Sequence, residues 1–193
     1  MLQQHSAKQR IIEAAAYVFY KQGYRATGVS TIAKAAHITK ATLYHHFQDK
    51  DALIEHALSY LSECHRSNYM KAWNKKGLKP IDKLTVLFDE MHASFKKPDC
   101  YGCPFINASS EYTDLEHPVR KISQAHYQFL THHLEQFARD AHLRKPRLLA
   151  ETIAGLIAGA YTGWFVGGIE HAATQAKNIA TMLIVKHSKD VPR

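Results

Sequence analysis

The chain has 193 residues, 46% of them hydrophobic, enough for one or two domains with a packed core. Twenty-five Lys and Arg against 17 Asp and Glu leave a formal charge of +8, which points to a polyanionic partner. Three Cys and an opening MLQQHSAKQR with no apolar stretch speak against a cleavable signal and a disulfide framework, so a reducing cytoplasm is expected. Six Pro, nine Gly and little strand-like alternation predict an all-α chain. Ile11, Ile12, Ala15, Val18 and Phe19 form a 3.6-period stripe that stops at Gly23. Two short helices follow. Asp49 then caps a long helix over about residues 50–75, with Ile54, Ala57, Leu58, Leu61 and Cys64 on one side and Gly77 and Pro80 beyond it. Ile81, Leu84, Phe88, Met91 and Phe95 make the next stripe. A loop-like CYGCP leads to a short segment around 105–112, and a long amphipathic helix runs from His117 to Leu143. Pro146 starts a penultimate helix, and the last spans Ala172 to about Lys186. That makes nine helices.

The two short helices carry most of the information. In residues 27–53, TGVSTIAKAAHITKATLYHHFQDKDAL, the apolar set Ile32, Ala33, Ala36, Ile38, Leu43 and Phe47 flanks a tight break, and Thr27 and Thr39 stand where N-caps belong. This is the pattern of a helix-turn-helix, whose first helix braces while the second presents polar side chains to a duplex groove. The stretch resembles the DNA-binding segment of the tetracycline-repressor (TetR) family through Ile32-Ala33, Leu43-Tyr44, His46-Phe47 and Lys50. His37 departs from it, because family members usually carry Gly in the turn. If His37 sits at positive φ it carries strain of about 1 kcal/mol. The resemblance implies three DNA-binding helices and six regulatory ones. It divides the chain into a DNA-binding domain, 1–48, and a ligand-binding and dimerisation domain, 49–193.

Charge agrees. The first 50 residues hold seven Lys and Arg (Lys8, Arg10, Lys21, Arg25, Lys34, Lys40, Lys50) against Glu13 and Asp49. A quarter of the chain thus carries +5 of the +8, as phosphate neutralisation requires. Within this end Lys40, Thr42 and His45 are the candidates for base edges, and Tyr44, His46, Lys50 and Thr27 for phosphates. Ser30 and Thr39 complete the DNA-facing set.

The penultimate helix has its own signature. Between Glu151 and Glu170 lie 18 uncharged residues, with Gly155, Gly159, Gly163 and Gly167 at a spacing of four. Length alone would allow a membrane span. Those four evenly spaced Gly, two Thr, acidic flanks and a basic DNA-binding end argue against one. A small-residue ridge lets a second backbone approach closely. In the family that partner is the symmetry mate in a homodimer built on the last two helices. Packing against a helix of the same subunit is the alternative.

Of the 14 His, those at 45, 46, 126, 132 and 133 have no Cys or carboxylate at ligand spacing, so no metal or cofactor is expected. Cys100 and Cys103 have the spacing of a zinc half-site or a redox pair. With only His92 and His117 nearby and no βαβ pattern, inert thiols or a thiol sensor are the readings left open. GCPFINASSEY also resembles the start of the sixth helix in TetR relatives with a Gly-Cys pair, some of which sense oxidants through that Cys. Phe88, Met91, His92, Phe95, Phe105, Tyr127 and Trp164 are candidates for an apolar effector pocket, or else core. No catalytic constellation stands out, so the chain is not expected to be an enzyme. The resemblance implies a cytoplasmic, homodimeric regulator, most simply a repressor that a small molecule releases from a palindromic operator. The competing readings are a thiol-based redox or electrophile sensor, a DNA-binding protein without a ligand, and an enzyme built on Cys103 and a His.

Overall fold

The computed structural model describes residues 6–188 and is helical throughout, with no strand among them. The helices are α1 (Ala7–Gln22), α2 (Val29–Ala35), α3 (Lys40–His46), α4 (Lys50–Trp73), α5 (Pro80–Lys83), α6 (Val86–Phe95), α7 (Pro104–Glu111), α8 (Pro118–Asp140), α9 (Pro146–Phe165) and α10 (Ala172–His187). Ten helical segments stand among the described residues where nine were expected, because the stripe from Ile81 to Phe95 is broken. At the break Leu84 and Thr85 donate three residues back, and the Thr85 hydroxyl also reaches the Asp82 carbonyl. A β-branched hydroxyl residue that bonds the preceding turn in this way competes with helix continuation.

Two compact units divide these elements. The first comprises the chain through His65 together with Pro104–Gln124. Its core is built by Ile11, Ala15 and Phe19 of α1, Ile32 of α2, Leu43 of α3, and Leu53, Ile54, Ala57 and Leu58 of α4. α1 ends as its sequence implies: Gly23, at φ 90, donates to the Phe19 carbonyl. Asp49 caps α4, its Oδ1 accepting from Ala52 N–H at 2.7 Å. His65 lies edge-on to Phe105, and burial pushes its imidazole down to about 4, so it is neutral at physiological pH.

The second unit comprises Arg66–Cys103 and the chain from Ala125 onward. Trp73 is its central side chain, stacked on His133 and met edge-on by Phe137. Leu130, Leu134 and Ala138 of α8 pack with Ile153, Ala154 and Ile157 of α9 and with Ala180 and Ile184 of α10. α6 is fastened to α10 by Lys177, whose ammonium lies 2.7 Å from both oxygens of Asp89. Arg144 closes the C-terminal end of α10: its N–H donates to the His187 carbonyl and its guanidinium to that of Lys186. α9 is long and apolar enough to cross a membrane, yet Leu149, Ile153 and Ile157 of its inner face are core residues.

The four evenly spaced glycines of the penultimate segment do not form one ridge. Residues four apart on an α-helix drift by about 40° per step, so the outer two of four differ by about 120°. A Cβ at Gly155 or Gly159 would meet nothing within 4 Å, whereas one at Gly163 would touch Ala172 and Ile169 of the same chain. Gly167 lies beyond the end of α9, where a Cβ would stand 2.7 Å from the Gly163 carbonyl.

Candidate nucleic-acid interface

The break between α2 and α3 is a Schellman motif. Ile38 N–H donates to the Ala33 carbonyl and His37 N–H to that of Lys34, which places His37 at the left-handed position, φ 55. The strain anticipated for a side chain in that turn is therefore present. The same device ends α8: Leu143 donates to Ala138 and His142 to Arg139, with His142 also at φ 55. In both places the sequence reads Ala-His-aliphatic. His, with Asn and Asp, enters the left-handed region more readily than most residues.

α3 starts where expected. The Thr39 hydroxyl accepts from Thr42 N–H at 3.1 Å and lies 2.9 Å from the Thr42 hydroxyl. Leu43 is buried and anchors the helix, while Lys40, Tyr44 and His45 stand exposed. Thr42 and His46 are half-buried, the His46 ring lying against His45 and Phe47. Ser30 is exposed on the first turn of α2. On α3, Lys40 and Tyr44 lie one turn apart on the same side, about 40° round the helix from each other.

One expected role changes, and a second residue has a partner within the chain. Thr27 does not cap α2. Gly28 holds that position without a side-chain bond. Thr27 is 3% exposed and its hydroxyl donates to the Gly23 carbonyl at 2.6 Å, so the side chain ties the α1–α2 loop and does not face a groove. Lys50 lies at the start of α4 as anticipated, but its ammonium donates to the Arg25 carbonyl at 2.6 Å.

The loop is also gripped by residues the sequence reading did not single out. Glu111 Oε1 accepts from Tyr24 N–H at 2.9 Å and Oε2 from Arg25 N–H at 2.6 Å. The Arg25 guanidinium lies 5.0 Å from the Tyr112 ring centre, and the Tyr112 hydroxyl donates to Asp51 at 3.1 Å. Burial first, then the Asp51 charge, pushes the Tyr112 phenol up to about 12, so it stays protonated as a donor. Glu111 and Tyr112 belong to the GCPFINASSEY stretch. Their signal was an acid and an aromatic closing a short helix, and nothing local names a partner some 86 residues away.

The pocket candidates separate. Phe88, Met91 and Phe95 are core residues of the second unit, and Trp164 stacks on Phe95 at 4.5 Å. His92 is half-buried, and its Nδ1 has no hydrogen-bond partner. Phe105 is buried in the first unit. Tyr127 is corrected: it is 44% exposed, one residue and so about 100° round α8 from buried His126, and does not line an interior. Cys64, Cys100 and Cys103 form no disulfide and are half-buried. Cys64 is thus not the core thiol its stripe suggested. Burial, then Cys64 as hydrogen-bond partner, pushes the Tyr60 phenol up to about 12. Cys100 Sγ accepts from the Ser94 hydroxyl at 3.9 Å, and Cys103 directly precedes the first residue of α7.

Residues 11–57 match the family profile described as "Bacterial regulatory proteins, tetR family". Residues 80–182, more than half of the chain, match the "Tetracyclin repressor-like, C-terminal domain". The HTH-type transcriptional repressor KstR2 of Mycolicibacterium smegmatis is 33% identical over 83 residues, 43% of this chain and 40% of that protein. The uncharacterized HTH-type transcriptional regulator YvkB of Bacillus subtilis is 40% identical over 111 residues, 54% of this chain and 58% of that one. The chain therefore spans between about two fifths and three fifths of these relatives. In fold it is similar to SCO4454, a TetR-family transcriptional regulator from Streptomyces coelicolor, with a TM-score of 0.86 at 23% identity over 95% of this chain and 96% of that one. It is likewise similar to the reduced form of E. coli NemR, with a TM-score of 0.81 at 17% identity over 93% and 97% of the two chains. An exposed, Thr-capped α3 braced by α2, followed by the matching C-terminal domain, places the chain in the TetR family of bacterial regulatory proteins, with a DNA-binding helix-turn-helix.

Proposed function

We propose that the chain is a homodimeric transcriptional regulator, a repressor that a small molecule releases from a palindromic operator. The observation that carries the reading is α3, held by buried Leu43 and presenting Lys40, Tyr44 and His45 outward. In each subunit this helix enters the major groove. Lys40, Thr42 and His45 read base edges, while Tyr44, His46 and Lys50 hold phosphates. Residues 1–48 bind DNA, and residues 49–193 dimerise and take the effector. The work is done in the cytoplasm, where the operator is, and involves no membrane and no catalysis.

Dimerisation is supported by what α9 and α10 leave uncovered. Leu148, Gly155 and Gly159 on α9 and Ile179, Met182 and Val185 on α10 are exposed, Met182 by 67%. Large apolar side chains left exposed on two helices that pack on each other are what an interface with a second copy would cover. Two half-sites about 34–36 Å apart, or a multiple of that, must then be matched. An effector that favours another spacing ends binding, provided it binds the DNA-incompetent state more tightly. Phe88, Met91, Phe95 and Trp164 are packed on one another in the single chain, so an effector that enters among them must displace this packing and be apolar itself. A thiol trigger is the second reading, favoured by Cys103 standing immediately before α7.

The test is footprinting of the purified protein on intergenic DNA beside its own gene, followed by titration of apolar compounds and of peroxide. Protection of an inverted repeat, abolished by one compound class, is expected. Release by peroxide alone, lost in Cys103→Ser, selects the thiol reading. Absence of any protected repeat overturns both.

A further inference from the structure

Glu111, the last residue of α7, is the main ligand of a loop far from it in sequence. One oxygen of its carboxylate takes the N–H of Tyr24 and the other takes that of Arg25, at 2.9 and 2.6 Å. Two successive backbone donors on the two oxygens of one carboxylate form a charge-assisted fork, which fixes the plane of the contact as well as its distance. Gly23 makes room for it: a Cβ there would stand 3.2 Å from Glu111 Oε1. Among the described residues no Lys or Arg forms an ion pair with Glu111, so its role is to hold backbone.

The first residue of α7 holds the same loop, because the Tyr24 hydroxyl donates to the Pro104 carbonyl at 3.1 Å. α7 thus grips the α1–α2 loop at both its ends. The loop leads into α2 with no side-chain cap of its own.

We propose that Glu111 is a positioning residue for operator binding: its carboxylate sets where the α2–α3 pair stands, without touching DNA. This rests on α3 being the recognition helix. A carboxylate has no attraction for phosphate, so removing it lowers affinity through geometry and removes no DNA contact. Glu111→Gln keeps the shape, but its amide nitrogen cannot accept a hydrogen bond.

The test compares operator affinity, salt dependence and base preference in the full chain. Glu111→Gln is expected to bind every sequence about tenfold more weakly, with the salt slope and base preference intact. Amide exchange at Tyr24 and Arg25 is expected to speed up. Ala138→Gly, buried in the second unit, serves as a control matched for melting temperature and should bind normally. Should Glu111→Gln not fold, Glu111→Asp, which withdraws the carboxylate by one methylene, carries the same expectation. Unchanged affinity overturns the proposal. So does an equal loss in the control, or Tyr24 and Arg25 amides in the unaltered protein that exchange like free loop amides. If the unaltered protein binds no operator, the regulator reading itself has failed, and the exchange of those two amides then decides the latch separately.

Discussion

Two lysines of the DNA-binding end illustrate how far residue type carries an assignment. Lys40 projects from the first turn of α3, exposed and in none of the described hydrogen bonds or ion pairs. Lys50 is half-buried, and its ammonium already donates to the Arg25 carbonyl. Replacing Lys40 with Ala should relax preference at one base pair, at a cost of about 1–3 kcal/mol on the preferred sequence. Replacing Lys50 with Ala should weaken all sequences alike and flatten the salt dependence by about one unit. Binding isotherms over a range of salt, on the operator and on single-base variants, check both. A Lys50→Ala protein with an unaltered salt slope would show that this amine only ties the loop.

At the scale of the element, the ends of helices are the informative parts. α2 and α8 both close on a histidine in the left-handed region, inside a Schellman motif whose hydrogen bonds are otherwise complete. The backbone bonds outweigh the local strain, so the turn forms although its residue type is unfavourable. His37→Gly removes that strain and returns part of the gain as chain entropy. It is expected to stabilise the protein by about 0.5 kcal/mol, or roughly 1–2 °C in melting temperature, and to leave operator binding unchanged. A lower melting temperature would mean that the exposed imidazole makes a contact worth more than the strain. α9 shows the reverse case. The four evenly spaced glycines from Gly155 to Gly167 suggest one continuous face, but the pitch of the helix and its end at Phe165 divide them between an open surface and a contact within the chain.

For the whole molecule, that division makes assembly testable. Gly159 faces open space in the single chain, so a side chain there harms only a contact with a second copy. Gly159→Leu should leave the subunit folded and shift sedimentation from dimer to monomer, with loss of binding to a palindrome. Gly163→Leu presses on Ala172 and Ile169 of its own chain and should lower the melting temperature as well. An intact dimer for Gly159→Leu would move the interface away from this surface. Charge works at the same scale. With +5 of the formal +8 in the first 50 residues, two such ends in a dimer should make operator affinity fall steeply with salt.

The sequence by itself determined the helical class, most helix ends and the family, because each rests on short-range physics. Apolar spacing of 3.6, Thr39 and Asp49 as caps, Gly23 and Pro146 as boundaries, and the 27–53 pattern all act within a turn or two. The positive φ of His37 was legible for the same reason. Tertiary structure decided what depends on partners far along the chain. It turned Tyr127 outward and set Gly163 against Ala172 and Ile169, whereas the Thr27 bond to Gly23 and the break at Thr85 are local, spanning four and three residues. It also brought Glu111 and Tyr112 to a loop that no local rule could have connected with them. A side chain's conformational preference is set by its neighbours in sequence, whereas its hydrogen-bond partner is set by which buried polar groups the folded chain leaves to be satisfied.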